Sequence, residues 1–473
     1  MLRRLVPLIA LVTTPVLAQP PVPDRAGWIA DFETAKAAIT RSSPNLEWQA
    51  MRGLDLAAIE ARARARLDAA STPDEARDAL RRFVRPFADG HMEFRPAVPL
   101  DHRPASAAAN ERPDCAALGI EDRPDDGAIA TRLPGYRTLA PGHAAVPAGI
   151  ANIAGRHVGV LRIAMFSPAL AHCRAVLASI PLPPRCNARC REQLSTRIDN
   201  AFLDEIAERL RDLLAAGAEV LLVDLADNGG GNDTAIAVAR MLGGKDVPTP
   251  PLWLARTPAT ARDLADELAD LDRATPTRAD RASMTDYRPR LTAAIGQAQK
   301  PCDLSALWRG GAVACTNLVR RGYAGGLSAL DLPTEQRDRP WAPLVSATAA
   351  YSFPARRWPG PVLLLVDGNS ASATELLAAM LQDARRATVV GAPTFGAGCG
   401  FTRPPEPVPL PHLGLVLGIP DCARLRPDKT NEIDGIVPDI LVPFREFDTP
   451  AQRVRRLLSV LPTVLAGAKR TRG

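Results

Sequence analysis

Aromatic residues are scarce in this 473-residue chain, at 4% of the total, and histidine occurs only six times. No lysine- and arginine-dense block interleaved with aromatics is present. The formal charge of +6 comes from 58 basic residues spread among 52 acidic ones, so it speaks for solubility and not for nucleic acid as a partner. Long apolar runs are absent beyond the first 18 residues, which excludes a later transmembrane helix of roughly 20 residues. Residues 1–18 carry Arg3 and Arg4, an apolar stretch from Leu5 to Leu17, and the small-residue ending Val16-Leu17-Ala18. That is the layout of a signal peptide cleaved after Ala18, and it places the mature protein in the periplasm or outside the cell. No internal repeat is visible, and no segment has the length and strand alternation of a PDZ-like module.

Eight cysteines are present, an even number, and an oxidising compartment favours disulfides over metal. Cys302 with Cys315 and Cys399 with Cys422 look like two locally closed loops. Cys115, Cys173, Cys186 and Cys190 allow three connectivities. Cys186 and Cys190 have a zinc-like spacing, but no histidine or second pair follows at ligand distance. No metal or organic cofactor is expected.

The apolar pattern gives an α/β chain. From Trp28 to about Phe87 hydrophobic residues recur at helical spacing, with Thr72 and Pro73 as a helix start. The spacing predicts a helical N-terminal domain over 19–94 and an irregular β/loop segment over 95–155. Continuous apolar runs at His157–Ile163, Glu219–Asp224 and Pro361–Val366 read as buried strands. A helix from Thr196 to Ala215 precedes the second run. A helix from about Ala373 to Gln382 and a strand at Ala387–Gly391 follow the third and complete a βαβ unit. The core is thus expected in two parts, 156–245 and 359–445, separated by an insertion over 246–358 with one helix capped by Thr257 and Pro258. A helix or tail fills 446–473.

Four segments carry chemistry. In Asp367-Gly-Asn-Ser370-Ala-Ser372-Ala373-Thr-Glu375 a strand ends in small residues where a helix begins, which exposes a hydroxyl beside free backbone N–H groups. In Asp224-Leu-Ala226-Asp-Asn228-Gly229-Gly230-Gly231-Asn232 the glycines allow close backbone approach. The lysine and serine or threonine of a phosphate-binding loop are missing, which removes a nucleotide site. Asp89-Gly90-His91 follows the helical domain, and Asn431-Glu432-Ile433-Asp434-Gly435 precedes the last strand signal.

Together with Gln382–Gly391 and Pro393-Thr394-Phe395-Gly396, these segments resemble the S41-type serine peptidases, which include C-terminal processing proteases and tricorn. The resemblance implies a crotonase-like (ClpP/crotonase superfamily) β-α core and peptide-bond hydrolysis through an acyl-enzyme. It carries the nucleophile to Ser372, the oxyanion donors to the amides of Ala373 and Gly230, the general base to His91, and the acid that orients His91 to Glu432, with Asp434 as the other acid within reach of that role. Two departures stand out. Thr394-Phe395-Gly396-Ala397-Gly398 has alanine where C-terminal processing proteases carry their lysine base, which excludes a Ser-Lys dyad there because a methyl group accepts no proton. Ala226 replaces the arginine of the glycine turn. The resemblance therefore implies a tricorn-like Ser-His-Glu enzyme acting on peptides or proteins, and its alternative is an inactive member that binds a hydrophobic ligand or a protein partner.

Overall fold

In a computed structural model, residues 23–97, 113–122, 124–125, 127–139, 145–274, 277–354, 358–404 and 406–467 are described. The predicted cleavage site at Ala18 lies outside them. Among the described residues no helix is long and apolar enough to cross a membrane.

The strand Val220–Asp224 is buried along its whole length, and its side chains divide between two cores. Leu221 and Val223 face one hydrophobic cluster, Val220 and Leu222 the other. The strand Val362–Val366 divides the same way, with Leu364 and Val366 on one side and Leu363 and Leu365 on the opposite side. This is why both runs are apolar at every position: alternate residues leave opposite faces, and both faces are covered.

Seven strands form the sheet in the order Ile440–Leu441, Thr388–Gly391, Val362–Val366, Val220–Asp224, Arg156–Arg162, Ala148–Ile153 and Arg137–Thr138. The first five run parallel to one another, and each of the last two pairs antiparallel with the strand before it in this order. Helices Ala188–Ala215, Thr234–Gly243 and Ala373–Asp383 pack on one face, and helix Pro450–Gly467 packs on the other through Leu457, Leu461 and Leu465. Asn187 caps the first of these helices by accepting from the Cys190 amide, so it begins a little over two turns before the expected Thr196.

The N-terminal helices Arg25–Ser42, Leu46–Met51, Leu56–Ala69 and Pro73–Val84 share a core with Trp308, Leu410, Leu413, Leu415 and Leu417. Thr72 and Glu75 form a reciprocal capping box at the start of the last helix, as the Ser/Thr-x-x-Glu pattern requires. Strand Glu93–Pro96 leaves this unit and pairs antiparallel with Leu415–Gly418, which ties the His91 segment to the C-terminal half.

Between residues 246 and 358 the chain has more regular structure than its Pro- and Arg-rich composition indicates. Helix Pro258–Arg273 starts at the Thr257 cap, and helices Arg278–Met284 and Tyr287–Ala298 follow. Strand Pro251–Ala255 pairs with both Leu318–Tyr323 and Cys422–Arg424. Half of that small sheet's partners thus come from outside the local sequence, and period alone could not reveal it.

Four disulfides are present: Cys302–Cys315, Cys399–Cys422, Cys115–Cys173 and Cys186–Cys190. The last joins the two thiols that had a zinc-like spacing.

Candidate active site

At the end of strand Val362–Val366 the backbone turns sharply into helix Ala373–Asp383. Ser372 sits at that corner with φ of 57°, a conformation that costs a non-glycine residue roughly 1–3 kcal/mol and persists only where surroundings impose it. The imposing contacts are explicit. The Asn228 carbonyl accepts from the Ala371 amide at 2.9 Å and from Thr374 Oγ1 at 3.1 Å, and Glu375 Oε2 accepts from the Ser372 amide at 2.8 Å.

The two serines of this segment differ in environment. Ser370 is fully buried, and its hydroxyl donates to the Leu225 carbonyl at 2.8 Å while accepting from the Asp367 amide at 3.0 Å. Ser372 is partly exposed and lines a cleft of about 800 Å³. His91 lines the same cleft.

His91 Nδ1 lies 3.0 Å from the Ala397 carbonyl oxygen. Since a carbonyl only accepts, Nδ1 carries the proton and Nε2 keeps its lone pair. Burial lowers the His91 pKa, the Ala397 carbonyl opposes that shift, and the Arg424 charge adds to it. Asp89 holds the segment from beneath: Oδ1 accepts from the His91 amide at 3.1 Å and Oδ2 from Asn45 Nδ2 at 3.2 Å. Desolvation pushes the Asp89 carboxyl up to about 7.

Glu432 does not meet His91. Its Oε2 accepts from Arg424 Nε at 2.6 Å, and its Oε1 has no hydrogen-bond partner. The expected carboxylate on the far ring nitrogen is therefore replaced by a backbone carbonyl, because Arg424, which sequence reasoning missed, claims the acid. Arg424 Nη2 donates further to the carbonyls of Gly398 at 2.8 Å and Ser372 at 3.1 Å. One guanidinium thus links Glu432, the serine corner and the loop that holds His91. Burial raises the pKa of Glu432, with Arg424 opposing. Asp434 stands away from the cleft, accepting from Trp48 Nε1 at 3.3 Å.

A second carboxylate organises the loop that lacks the lysine. Glu375 accepts from Thr394 Oγ1 and from the amides of Gly396, Ala397 and Gly398 at 2.7 to 3.0 Å. Ala397 is buried, and its backbone, rather than its side chain, serves the site.

The glycine turn approaches Ser372 closely. A Cβ on Gly230 would lie 2.7 Å from Ser372 Cβ and 3.0 Å from the Ala373 amide nitrogen, at a φ of +112°. Its own amide, however, donates to Asn228 Oδ1 at 2.9 Å. Gly231, not Gly230, lines the cleft. The Ala226 carbonyl accepts from Arg162 Nη1 at 2.6 Å, so a guanidinium from the neighbouring strand anchors the turn that lacks its own arginine.

The family model of peptidase family S41 matches residues 158–442. A curated relative, the carboxy-terminal-processing protease of Bartonella bacilliformis, is 40% identical over 83 residues, 17% of this chain, and the match spans only 18% of that relative's length. Among solved structures, mature CPAF complexed with lactacystin gives a TM-score of 0.58 at 14% identity, covering 93% of this chain and 98% of that chain. A crystal structure of mature CPAF gives 0.58 at 15% identity, with 93% and 97% covered. At these identities the likeness is one of fold.

Proposed function

Because this chain belongs to peptidase family S41, we propose that it is an exported serine peptidase that hydrolyses peptide bonds through an acyl-enzyme on Ser372. The observation that carries this reading is that Ser372 and His91 line one cleft while the Ala397 carbonyl holds the proton on His91 Nδ1. Nε2 is then free to take the Ser372 proton as Oγ attacks the substrate carbonyl, and to return it to the leaving amine. A water molecule activated by the same nitrogen releases the acyl group.

Ala373 begins the helix, where amides lack intrahelical partners, and its N–H is one oxyanion donor. For the second, Gly231 fits better than Gly230, whose amide is already bonded to Asn228. Glu432 acts through Arg424: the pair fixes the Ser372 and Gly398 carbonyls and so the distance between the serine corner and the histidine loop. Asp434 takes no part.

The four disulfides support an oxidising compartment, periplasmic or extracellular. The parallel sheet with the nucleophile at a strand-to-helix corner supports the crotonase-like core, divided over 156–245 and 359–445, with 19–94 as a helical unit and 246–358 as the insertion.

Fluorophosphonate labelling of the mature protein tests this. Labelling is expected in the wild type, absent in Ser372→Ala and strongly slowed in His91→Ala. A folded wild type that does not label sinks the reading.

A further inference from the structure

Charge in the cleft is unevenly satisfied. Its three lining guanidiniums, Arg321, Arg403 and Arg424, are each held by the protein's own acids. Arg321 makes a bidentate pair with Glu267 at 2.8 and 2.9 Å. Arg403 pairs with Asp263 and Asp421, and Arg424 with Glu432. Each guanidinium charge is thus already balanced by a carboxylate of the protein.

Two lining acids have no hydrogen-bond or ion-pair partner among the described residues. Asp266 stands exposed on helix Pro258–Arg273, and Asp233 lies directly beyond the glycine turn. The neighbour of Asp233, Asn232, is fully used: Nδ2 donates to Asp199, and Oδ1 accepts from the Thr234 amide and hydroxyl. Asp233 is thus the one polar side chain of this turn that both faces the cleft and lacks a hydrogen bond or ion pair among the described residues; the Arg321 and Arg424 charges act on it only from beyond pairing distance.

Its reach follows from the chain. Gly230 touches the Ser372 corner, and Asp233 is three residues further on, so their Cα atoms are separated by at most about 11 Å. A lysine or arginine side chain spans most of that distance. Leu252, Leu254, Leu264 and Leu376 also line the cleft, and aliphatic walls of this kind take up the methylene stem of a basic side chain while its charged end meets the acid.

Resting on the peptidase reading above, we propose that the cleft selects a substrate residue with a basic side chain adjacent to the scissile bond, and that Asp233 is the specificity-determining residue, with Asp266 adding attraction at the mouth.

The experiment uses the mature protein and N-acetylated, internally quenched peptides that differ only in arginine against citrulline, or lysine against norleucine. The arginine peptide is expected to be cleaved with kcat/KM at least about tenfold above its citrulline twin, the scale of one hydrogen bond between charged groups in a partly screened site. That ratio should fall toward one in Asp233→Asn. Equal cleavage of the twins by the wild type overturns the proposal, and so does a requirement for a free amino terminus, since the cation would then be the peptide's own amine. Binding of the labelled twins to Ser372→Ala, read by fluorescence anisotropy, separates the two claims. Preference for arginine there, with no fluorophosphonate labelling of the wild type, keeps the charge selection and removes the peptidase reading; equal binding removes the charge selection whatever the labelling shows.

Discussion

The Nδ1 atom of His91 and the carbonyl oxygen of Ala397 are 3.0 Å apart, so the residue that replaces the expected lysine contributes its backbone instead. A carbonyl fixes the tautomer as a carboxylate would, but it brings no full charge to stabilise an imidazolium. Burial therefore wins, and His91 is held below its ordinary value of 6.5. In the proposed mechanism His91 must be neutral to accept the Ser372 proton, and a lowered pKa keeps it neutral further into acid. The acidic limb of kcat/KM against pH should accordingly fall below that value, and a limb at or above it would contradict the geometry.

The ring also has little room to move. A Cβ at Gly400 would lie 2.7 Å from His91 Cδ2 and 2.8 Å from Nε2. Gly400→Ala must displace the imidazole, and if His91 is the base proposed above, misplacing it by about 1 Å costs on the order of a hundredfold in rate. Slower fluorophosphonate labelling with an unchanged melting temperature is the expected result; unchanged labelling would mean that the ring adapts.

Much of this was legible in the sequence where the determining contacts are local. The buried strands, the Thr72 and Thr257 caps and the corner at Ser372 all follow from period, capping chemistry and small residues within one turn. What escaped is tertiary. Arg424 stands only eight residues before Glu432, but it lies on a three-residue strand whose partner, Pro251–Ala255, is some 170 positions earlier, so its placement beside the acid is set by a distant pairing and not by local period. The motif register did bring Glu432 into the site's surroundings. Which atom it faces depended on that unseen guanidinium.

Glu432→Gln separates the two roles. If the acid oriented His91 directly, the amide would favour the wrong tautomer, a change worth roughly 10⁴ in kcat in a Ser-His-Asp enzyme. Here an amide oxygen still accepts from Arg424, so a loss below about tenfold is expected. Arg424→Met is the harsher change, since it leaves the Glu432 charge buried and unpaired at a cost of about 3–5 kcal/mol. Steady-state kinetics and urea unfolding of both variants give the comparison. A kcat loss in Glu432→Gln that matches that of His91→Ala would restore the direct role.

Asp89 predicts how stability responds to pH. Its carboxyl titrates at about 7 in the folded protein against 3.8 as a reference value, so the folded state binds this proton more tightly than the unfolded chain. The resulting stabilisation is complete below 3.8 and is lost as pH rises through about 7. Urea midpoints should fall between about pH 4 and about pH 7, and fall less in Asp89→Asn, whose side-chain oxygen still accepts from the His91 amide. Parallel profiles would show that Asp89 is not the group responsible.

The Cys399–Cys422 disulfide closes a loop of sequence separation 23, for which chain entropy gives about 3 kcal/mol of stabilisation. Its position matters more than its loop length. Cys399 lies between Gly398, whose carbonyl receives Arg424 and whose amide meets Glu375, and Gly400, which abuts His91. Cys422 lies two residues before Arg424 on the same strand. Breaking this bond releases both ends of the clamp at once, whereas Cys302–Cys315 joins the core of the N-terminal helices and touches none of these groups. The double variant Cys399→Ser/Cys422→Ser should thus lose labelling at Ser372 at temperatures where it remains folded by circular dichroism. Cys302→Ser/Cys315→Ser should melt earlier yet label at the wild-type rate while folded. Equal labelling by the two would show that the clamp holds without its covalent tie.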